Sequence, residues 1–294
     1  MKNFILILFC FLFFAFSNAQ ELKNGFAEVN GTKLYYEVAG KGEPILFVHG
    51  NFGDTRHWDF QFEPLAKKYK VIRYDVRGYG KSANPKPDEV YYDYEDIIAL
   101  LDYLNIDRVH ICGVSMGSGI VVDFALVHPE RCLSLIPIGP WANGFGSDAY
   151  STAAGDSLNE IFYKVVQILN DEGVKAATDY WWTGTDFVKS SVRTQRTLDE
   201  LLKMGYEYDY WGFKNQNKRG NANPVAVSRL NEIKLPTLIV TAEYDLKPCI
   251  EIANMMENQI SGSKKISIKN AGHLMNMDKP KEFNAELSNF IENL

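Results

Sequence analysis

A serine between two glycines is the residue of this chain best placed for covalent chemistry. It lies in Gly113-Val114-Ser115-Met116-Gly117, a G-x-S-x-G pattern. The apolar run 109–112 before it predicts a buried strand, and residues 118–126 after it carry apolar side chains at helical spacing. At such a strand-to-helix turn the pattern indicates a raised serine nucleophile, with glycines where side chains would collide. The alternative is a glycine-rich turn with an inert serine.

A serine nucleophile needs a base to accept its proton and an acid to orient that base. Of the five histidines, His273 alone lies in a glycine-flanked loop after a late strand. Asp245 follows the preceding predicted strand by a few residues, also in a loop. We therefore predict Ser115, Asp245 and His273 as a catalytic triad. The other histidines occupy positions that favour structural roles: His49, His57, His110 and His128.

The elements that must position this triad are short strands alternating with helices. This alternation indicates βαβ units and a mainly parallel sheet. Asn30-Gly31 between two alternating runs predicts a hairpin over residues 25–40, and hence an antiparallel edge. The predicted strands are 44–48, 71–75, 109–112, 133–138, 236–241 and 265–268, and the predicted helices between and after them include 58–68, 94–104, 250–258 and 280–293.

Between residues 141 and 224 the alternation stops, and helical patterns appear with no convincing strand. This stretch holds four of the five tryptophans: Trp141, Trp181, Trp182 and Trp211. We predict a helical cap at 141–224, inserted into a core of 20–140 and 225–294. We expect Trp141 and Trp182 to line an acyl pocket; the alternative is that these aromatic rings only pack the cap onto itself.

Taken together, these motifs resemble the α/β-hydrolase family, in particular its capped serine esterases and enol-lactonases. The resemblance covers nearly all of residues 25–294. It implies a mostly parallel eight-stranded sheet with helices on both faces and an inserted helical cap. The order Ser115, Asp245, His273 is also the order of that fold. The motifs are residues 49–54, Asp75-x-Arg77-Gly78-x-Gly80-x-Ser82, residues 113–117, Asp245 before Pro248, and Gly272-His273.

The resemblance also implies roles for residues around the triad. The oxyanion hole would use the backbone N–H of Met116 and that of Asn51, with Phe52 as the runner-up. Asp75 and Arg77 would stabilise a turn and take no part in the chemistry.

Differences between this sequence and particular members of the family narrow the set of possible reactions. A serine nucleophile disfavours the aspartate-based dehalogenases and epoxide hydrolases. We predict hydrolysis of a small ester, thioester or lactone through an acyl-enzyme on Ser115. A proline iminopeptidase-like enzyme or a C–C bond hydrolase stays open, and so does a non-catalytic ligand receptor on the same fold. An aminopeptidase would need a carboxylate for the substrate amine, and the cap offers Glu160, Glu200 and Glu207.

The composition excludes several classes of partner. The 294 residues have a net charge of −6 and no basic tract, so a nucleic acid is not expected. The four cysteines show no C-x-x-C spacing, which does not indicate a zinc site or a disulfide framework. Cys112 and Cys132 fall in neighbouring predicted strands and are expected to be buried thiols. We expect a small-molecule substrate, no cofactor and no metal.

The N-terminus has the features of a secretory signal peptide. Lys2 precedes an apolar run over residues 4–16, and Ser17-Asn18-Ala19 supplies small residues before Gln20. The run is shorter than the roughly 20 residues that a membrane-spanning helix needs. We predict cleavage of residues 1–19 and export to the periplasm or the medium, with an uncleaved anchor as the alternative.

The first testable prediction is that the exported chain begins at Gln20. Cleavage after Ala19 satisfies the preference for small residues at the −3 and −1 positions. Intact-mass measurement of the exported protein should give the mass of residues 20–294. A mass that retains residues 1–19 would contradict cleavage and favour the anchor.

Overall fold

The computed structural model describes residues 22–147, 150–185, 193–215 and 218–294. The predicted signal peptide, residues 1–19, lies outside the described residues. Within the described ranges, no helix combines the length and the apolar character that crossing a bilayer requires.

Eight strands form one sheet in the order β1-β2-β4-β3-β6-β7-β9-β10. The pairs β1–β2 and β2–β4 are antiparallel, and the other pairs are parallel. The predicted mostly parallel eight-stranded sheet is thus confirmed. The strands within the described residues run β1 Lys23–Val29, β2 Thr32–Ala39, β3 Pro44–Val48, β4 Lys70–Tyr74, β5 Tyr91–Tyr92, β6 Val109–Val114, β7 Cys132–Ile138, β8 Arg219–Gly220, β9 Leu238–Tyr244 and β10 Lys264–Gly272.

The predicted hairpin is present and turns at Asn30-Gly31. Both residues have positive φ, 46° and 70°, which a tight two-residue hairpin turn requires. β1 and β2 leave this turn with Val29 opposite Thr32. The antiparallel edge of the sheet is therefore set by local turn chemistry.

Helices cover both faces of the sheet. Side chains alternate along β3, so Ile45 and Phe47 join the core under α1 and α10, while Leu46 and Val48 join the core under α2, α3 and α8. The helices are α1 Asp59–Ala66, α2 Asp93–Tyr103, α3 Met116–Val127, α4 Ala153–Glu172, α5 Val174–Asp179, α6 Gln195–Glu207, α7 Trp211–Lys214, α8 Lys247–Gln259, α9 Met275–Asp278 and α10 Pro280–Glu292.

The stretch between β7 and β9 is mainly helical and contains α4 to α7. The expectation of no strand in it was wrong, because β8 pairs with β5 in a separate two-stranded sheet. Two residues are too few to show a strand period in sequence, so this pairing depends on tertiary contact. Division of the chain at 141–224 stays a prediction.

Aromatic rings join this helical stretch to the loop after β3. The ring of Phe52 lies 4.6 Å from Trp181, 5.4 Å from Tyr210 and 5.3 Å from Phe213, measured between centroids. Phe52 itself is fully buried. Aromatic packing against the helical stretch therefore fixes the loop that follows β3.

The turn after β4 is stabilised as the family resemblance implied. Asp75 accepts hydrogen bonds from the backbone N–H groups of Thr55 at 2.8 Å and Lys81 at 2.7 Å. Arg77 is almost fully buried and donates to both carboxylate oxygens of Asp96, at 2.9 and 2.6 Å. Asp96 is buried to the same extent, so neither charge has water as an alternative partner.

The second testable prediction is that Arg77→Met lowers the free energy of unfolding by about 3–5 kcal/mol, because it leaves the buried Asp96 carboxylate unpaired. Urea denaturation measures this change. The exposed pair of Lys175 and Asp179 provides the control, and Lys175→Ala should change stability by less than about 1 kcal/mol. Equal effects of the two substitutions would contradict a structural role for Arg77.

Candidate active site

Ser115 occupies a strained turn between β6 and α3. Its φ of 55° and ψ of −116° lie in a region that residues with a side chain rarely adopt. Its N–H donates to the carbonyl of Ile138 at 3.0 Å, and its carbonyl accepts from Ser118 N–H at 2.9 Å. The backbone is thus held on both sides, and the side chain stands at the N-terminus of α3.

The two glycines of the motif are required by close backbone approach. A Cβ at Gly113 would lie 2.2 Å from the carbonyl oxygen of Gly117. A Cβ at Gly117 would lie 2.3 Å from the carbonyl oxygen of Val48 and 2.5 Å from that of His49. The predicted collision across the turn is therefore found at Gly113. At Gly117, a side chain would instead collide with the backbone at the end of β3.

The structure brings His273 and Asp245 together. His273 Nδ1 lies 2.7 Å from Asp245 Oδ1, and both side chains are buried. Asp245 Oδ1 also accepts the N–H of Leu246 at 2.8 Å. A carboxylate facing Nδ1 favours the tautomer with its proton there, which leaves Nε2 as the basic nitrogen.

The loop that carries His273 is anchored to the rest of the core. Gly272 N–H donates to Asp278 Oδ2 at 2.9 Å, and Asn276 Nδ2 donates to the carbonyl of His57 at 2.7 Å. A Cβ at Gly139 would lie 2.8 Å from the His273 ring, so β7 ends directly against the imidazole. The short helix α9, absent from the sequence prediction, supplies two of these anchors.

The two predicted oxyanion donors, Asn51 and Met116, line one cavity with Ser115 and His273. Asn51 Oδ1 accepts from Tyr79 Oη at 2.7 Å and from the N–H of Phe52 at 3.1 Å. The N–H of the runner-up, Phe52, is thereby engaged within its own loop. The geometry favours Asn51 over Phe52, and both oxyanion roles stay predictions.

His49 and His57 form hydrogen bonds with the backbone of this loop at Gly50. His49 Nδ1 donates to Gly50 O at 2.8 Å, and its Nε2 accepts from Val76 N–H at 2.9 Å. Burial lowers the pKa of His49 to about 4 and that of His57 to about 3. Both rings are therefore neutral at neutral pH, in agreement with a structural role.

The cavity has a volume of about 220 Å³. This is below the roughly 300–1,000 Å³ that pockets for drug-sized ligands occupy, which favours a small substrate. Trp182, expected in the lining, is not part of it: its ring packs against Trp181 and under the guanidinium of Arg193. Much of the lining is apolar and consists of Met116, Trp141, Leu158, Phe162, Trp181 and Leu246.

Cys249 lies beside the predicted acid and base. Its Sγ and one ligand atom each of Asp245 and His273 lie within 4.8 Å of one another. Burial raises the pKa of the Cys249 thiol well above its usual value, so the sulfur stays protonated. Because Asp245 Oδ1 is hydrogen-bonded to His273 Nδ1, the trio is explained as the predicted acid and base with a buried thiol beside them. Cys112 and Cys132 are buried free thiols, as predicted.

Three polar residues of the cavity were missed by sequence reasoning: Asn143, Arg219 and Asn221. They come from irregular chain and from the two-residue β8, where no periodicity or motif marks them. None of the three glutamates considered for amine binding is in the described lining, and Glu207 instead pairs with Arg56 at 2.7 Å.

Comparisons with known proteins agree with this architecture. Among curated proteins, 3-oxoadipate enol-lactonase 1 of Acinetobacter baylyi is 25% identical over 90% of this chain and 95% of its own length. (E)-2-((N-methylformamido)methylene)succinate hydrolase of the same organism is 25% identical over 90% and 95%. The crystal structure of the enol-lactonase from Burkholderia xenovorans LB400 matches with a TM-score of 0.75 and 23% identity, over 91% of this chain and all of its own.

A family model described as alpha/beta hydrolase fold matches residues 43–280, which is most of the chain. The sheet order, the turn at Ser115 and the relatives lead to the same family. This chain belongs to the α/β-hydrolase fold family and is a hydrolase.

Proposed function

We propose that this hydrolase cleaves a small ester, thioester or lactone through an acyl-enzyme on Ser115. The observation that carries the proposal is the meeting of Ser115 and His273 in one small cavity, with His273 bonded to the buried Asp245. No cofactor takes part in this scheme.

In the first half-reaction, Ser115 Oγ attacks the carbonyl carbon while His273 Nε2 accepts the hydroxyl proton. The negative charge on the carbonyl oxygen is stabilised by the N–H groups of Asn51 and Met116. His273 then gives its proton to the departing alcohol, thiol or enol. In the second half-reaction, water attacks the acyl-enzyme, His273 takes the proton of the water, and Ser115 leaves with that proton.

The lining and one relative support the substrate class. The apolar lining and the small volume fit a short acyl group. The name of the Acinetobacter relative, an enol-lactonase, supports an activated ester or lactone. Residues 141–224 would act as the cap, because Trp141, Leu158, Phe162 and Trp181 all come from that stretch.

The alternatives differ in what they require of the cavity. A proline iminopeptidase-like enzyme needs a carboxylate for the substrate amine, and the described lining contains no aspartate or glutamate. A C–C bond hydrolase would use the same triad, so only substrates separate it from an esterase. A non-catalytic receptor would not need the strained turn at Ser115, because a binding pocket does not require a raised hydroxyl.

The proposal that the chain acts outside the cytoplasm depends on residues 1–19 alone. Three free buried thiols in the described chain are compatible with either compartment.

The third testable prediction concerns the triad. Ser115→Ala should abolish nearly all turnover of p-nitrophenyl esters, and His273→Ala should cost about as much, since the residues act as a unit. Asp245→Asn should cost less than either substitution but still orders of magnitude, through loss of the correct imidazole tautomer. Steady-state kinetics measure these losses, and melting curves check that the fold is retained.

Two further observations decide this prediction. A fluorophosphonate probe should label Ser115 in the wild type, and no label would favour the receptor. Additive losses in Ser115→Ala/His273→Ala, or a fully active Asp245→Asn, would contradict the triad.

The fourth testable prediction concerns the acyl pocket. Trp181→Ala should shift the preference among esters towards longer acyl chains, because Trp181 lines the cavity. Trp182→Ala is the matched control: the side chain is adjacent and just as buried but lies outside the lining. Both variants should lose roughly 3–5 kcal/mol of stability. The pocket assignment fails if the two variants have the same chain-length profile.

A further inference from the structure

Arg219 brings a charge into the catalytic cavity. It belongs to β8 and lines the same space as Ser115 and His273. Among the described lining residues it is the one permanently charged side chain. Placing a guanidinium next to apolar rings is costly unless its donors are used. The hydrogen-bond partners of the Arg219 N–H donors therefore decide what this residue does.

One side of Arg219 is fixed by the protein. Its Nε donates to Asp93 Oδ2, and the Asp93 side chain is 5% exposed at the first residue of α2. Burial alone would lower the pKa of Arg219, but Asp93 together with Tyr79 and Tyr91 more than offsets this, so the pKa is raised and the guanidinium stays charged. Asp93 thus holds the group in place and helps to keep its charge.

The Nη atoms of Arg219 differ from its Nε atom. A guanidinium has five N–H donors, and four of them are on its two Nη atoms. Within the described residues no acceptor is bonded to either Nη atom of Arg219, and the side chain keeps 24% of its accessible surface. Arg77 differs: its Nε and both Nη atoms donate to Asp96, Glu89 and Asn30. Arg77 is structurally satisfied, whereas Arg219 is left with donors to offer.

The surroundings favour an anion at this position. No acidic side chain belongs to the described lining, and its uncharged polar residues include Asn51, Ser115, Asn143 and Asn221. The whole chain carries a net charge of −6, so its overall field does not attract anions. Selectivity for an anion would therefore be a local property of Arg219. Paired N–H donors of a guanidinium match a carboxylate in geometry as well as charge.

We propose that Arg219 binds a carboxylate of the substrate. The preferred substrate is then a small ester or lactone that carries a free carboxylate in addition to the scissile bond. This inference rests on the proposed function, because the carboxylate is held in the cavity that contains Ser115.

The fifth testable prediction compares two aryl esters of similar size, mono-p-nitrophenyl glutarate and p-nitrophenyl hexanoate. The wild type should prefer the anionic glutarate ester in kcat/KM. Arg219→Met should lower kcat/KM for that ester by roughly 10- to 100-fold, mainly through KM, and change the neutral ester by less than about 3-fold. Arg219→Lys should recover part of the loss.

Asp93→Asn separates substrate binding from a structural tie. If Arg219 binds substrate, Asp93→Asn keeps part of the preference for the anionic ester, because an amide oxygen still accepts a hydrogen bond from Arg219 Nε and the guanidinium stays charged. If Arg219 only joins β8 to α2, both variants lose activity equally on both esters, and the proposal is overturned. A wild type that prefers the neutral ester overturns it as well.

A binding measurement keeps the inference separate from the hydrolase mechanism. Glutarate should raise the melting temperature of the wild type, glutaramide should not, and Arg219→Met should remove the glutarate effect. Ser115→Ala should keep that effect, since the serine does not bind the carboxylate. If glutarate raises the melting temperature in this way but the protein hydrolyses no ester, the result counts against the proposed function and not against the role of Arg219. No glutarate effect in the wild type would count against the role of Arg219.

Discussion

The close approach of Gly117 to the end of β3 is the contact on which the site depends. At this residue the backbone of α3 meets the carbonyl groups of Val48 and His49, with no room for a side chain. Because β3 and β6 are neighbours in the sheet, this contact fixes the loop after β3 against the turn at Ser115. The proposed oxyanion donors and the proposed nucleophile thus have a set separation before any substrate enters. Pre-positioned donors of this kind need no reorganisation during the reaction.

Burial divides the histidines of this region into two kinds. His49 and His57 have no access to water, and the cost of charging them there keeps them neutral and available for backbone hydrogen bonds. His273 is almost as buried, but its Nδ1 lies within hydrogen-bond distance of the Asp245 carboxylate. In our proposal, the same type of side chain therefore serves as a fixed support at His49 and His57 and as a proton carrier at His273. What differs is the neighbour within hydrogen-bond distance.

The sequence was sufficient for the sheet, for the turn at Ser115 and for the pairing of Asp245 with His273. These features obey rules of spacing: strand period, glycine where backbones touch, and loops at one edge of a parallel sheet. The sequence was not sufficient to predict that Trp181 rather than Trp182 lines the cavity. It also did not predict that the short helix α9 forms or that Arg219 lies in the cavity. Their positions depend on how the helices between β7 and β9 rest on the sheet, and a helical pattern does not say which of two adjacent rings turns towards a cavity.

The same division explains why the reaction class is easier to predict than the substrate. The proposed reacting groups come from the core, where backbone geometry restricts the residue types. The proposed selectivity comes from Arg219, whose place depends on the pairing of β8 with β5 and on Asp93 of α2. A residue from the helical insertion is thus held by an acid of the core. Such an arrangement lets the specificity of the cavity change by substitution in the insertion while the geometry around Ser115 is preserved.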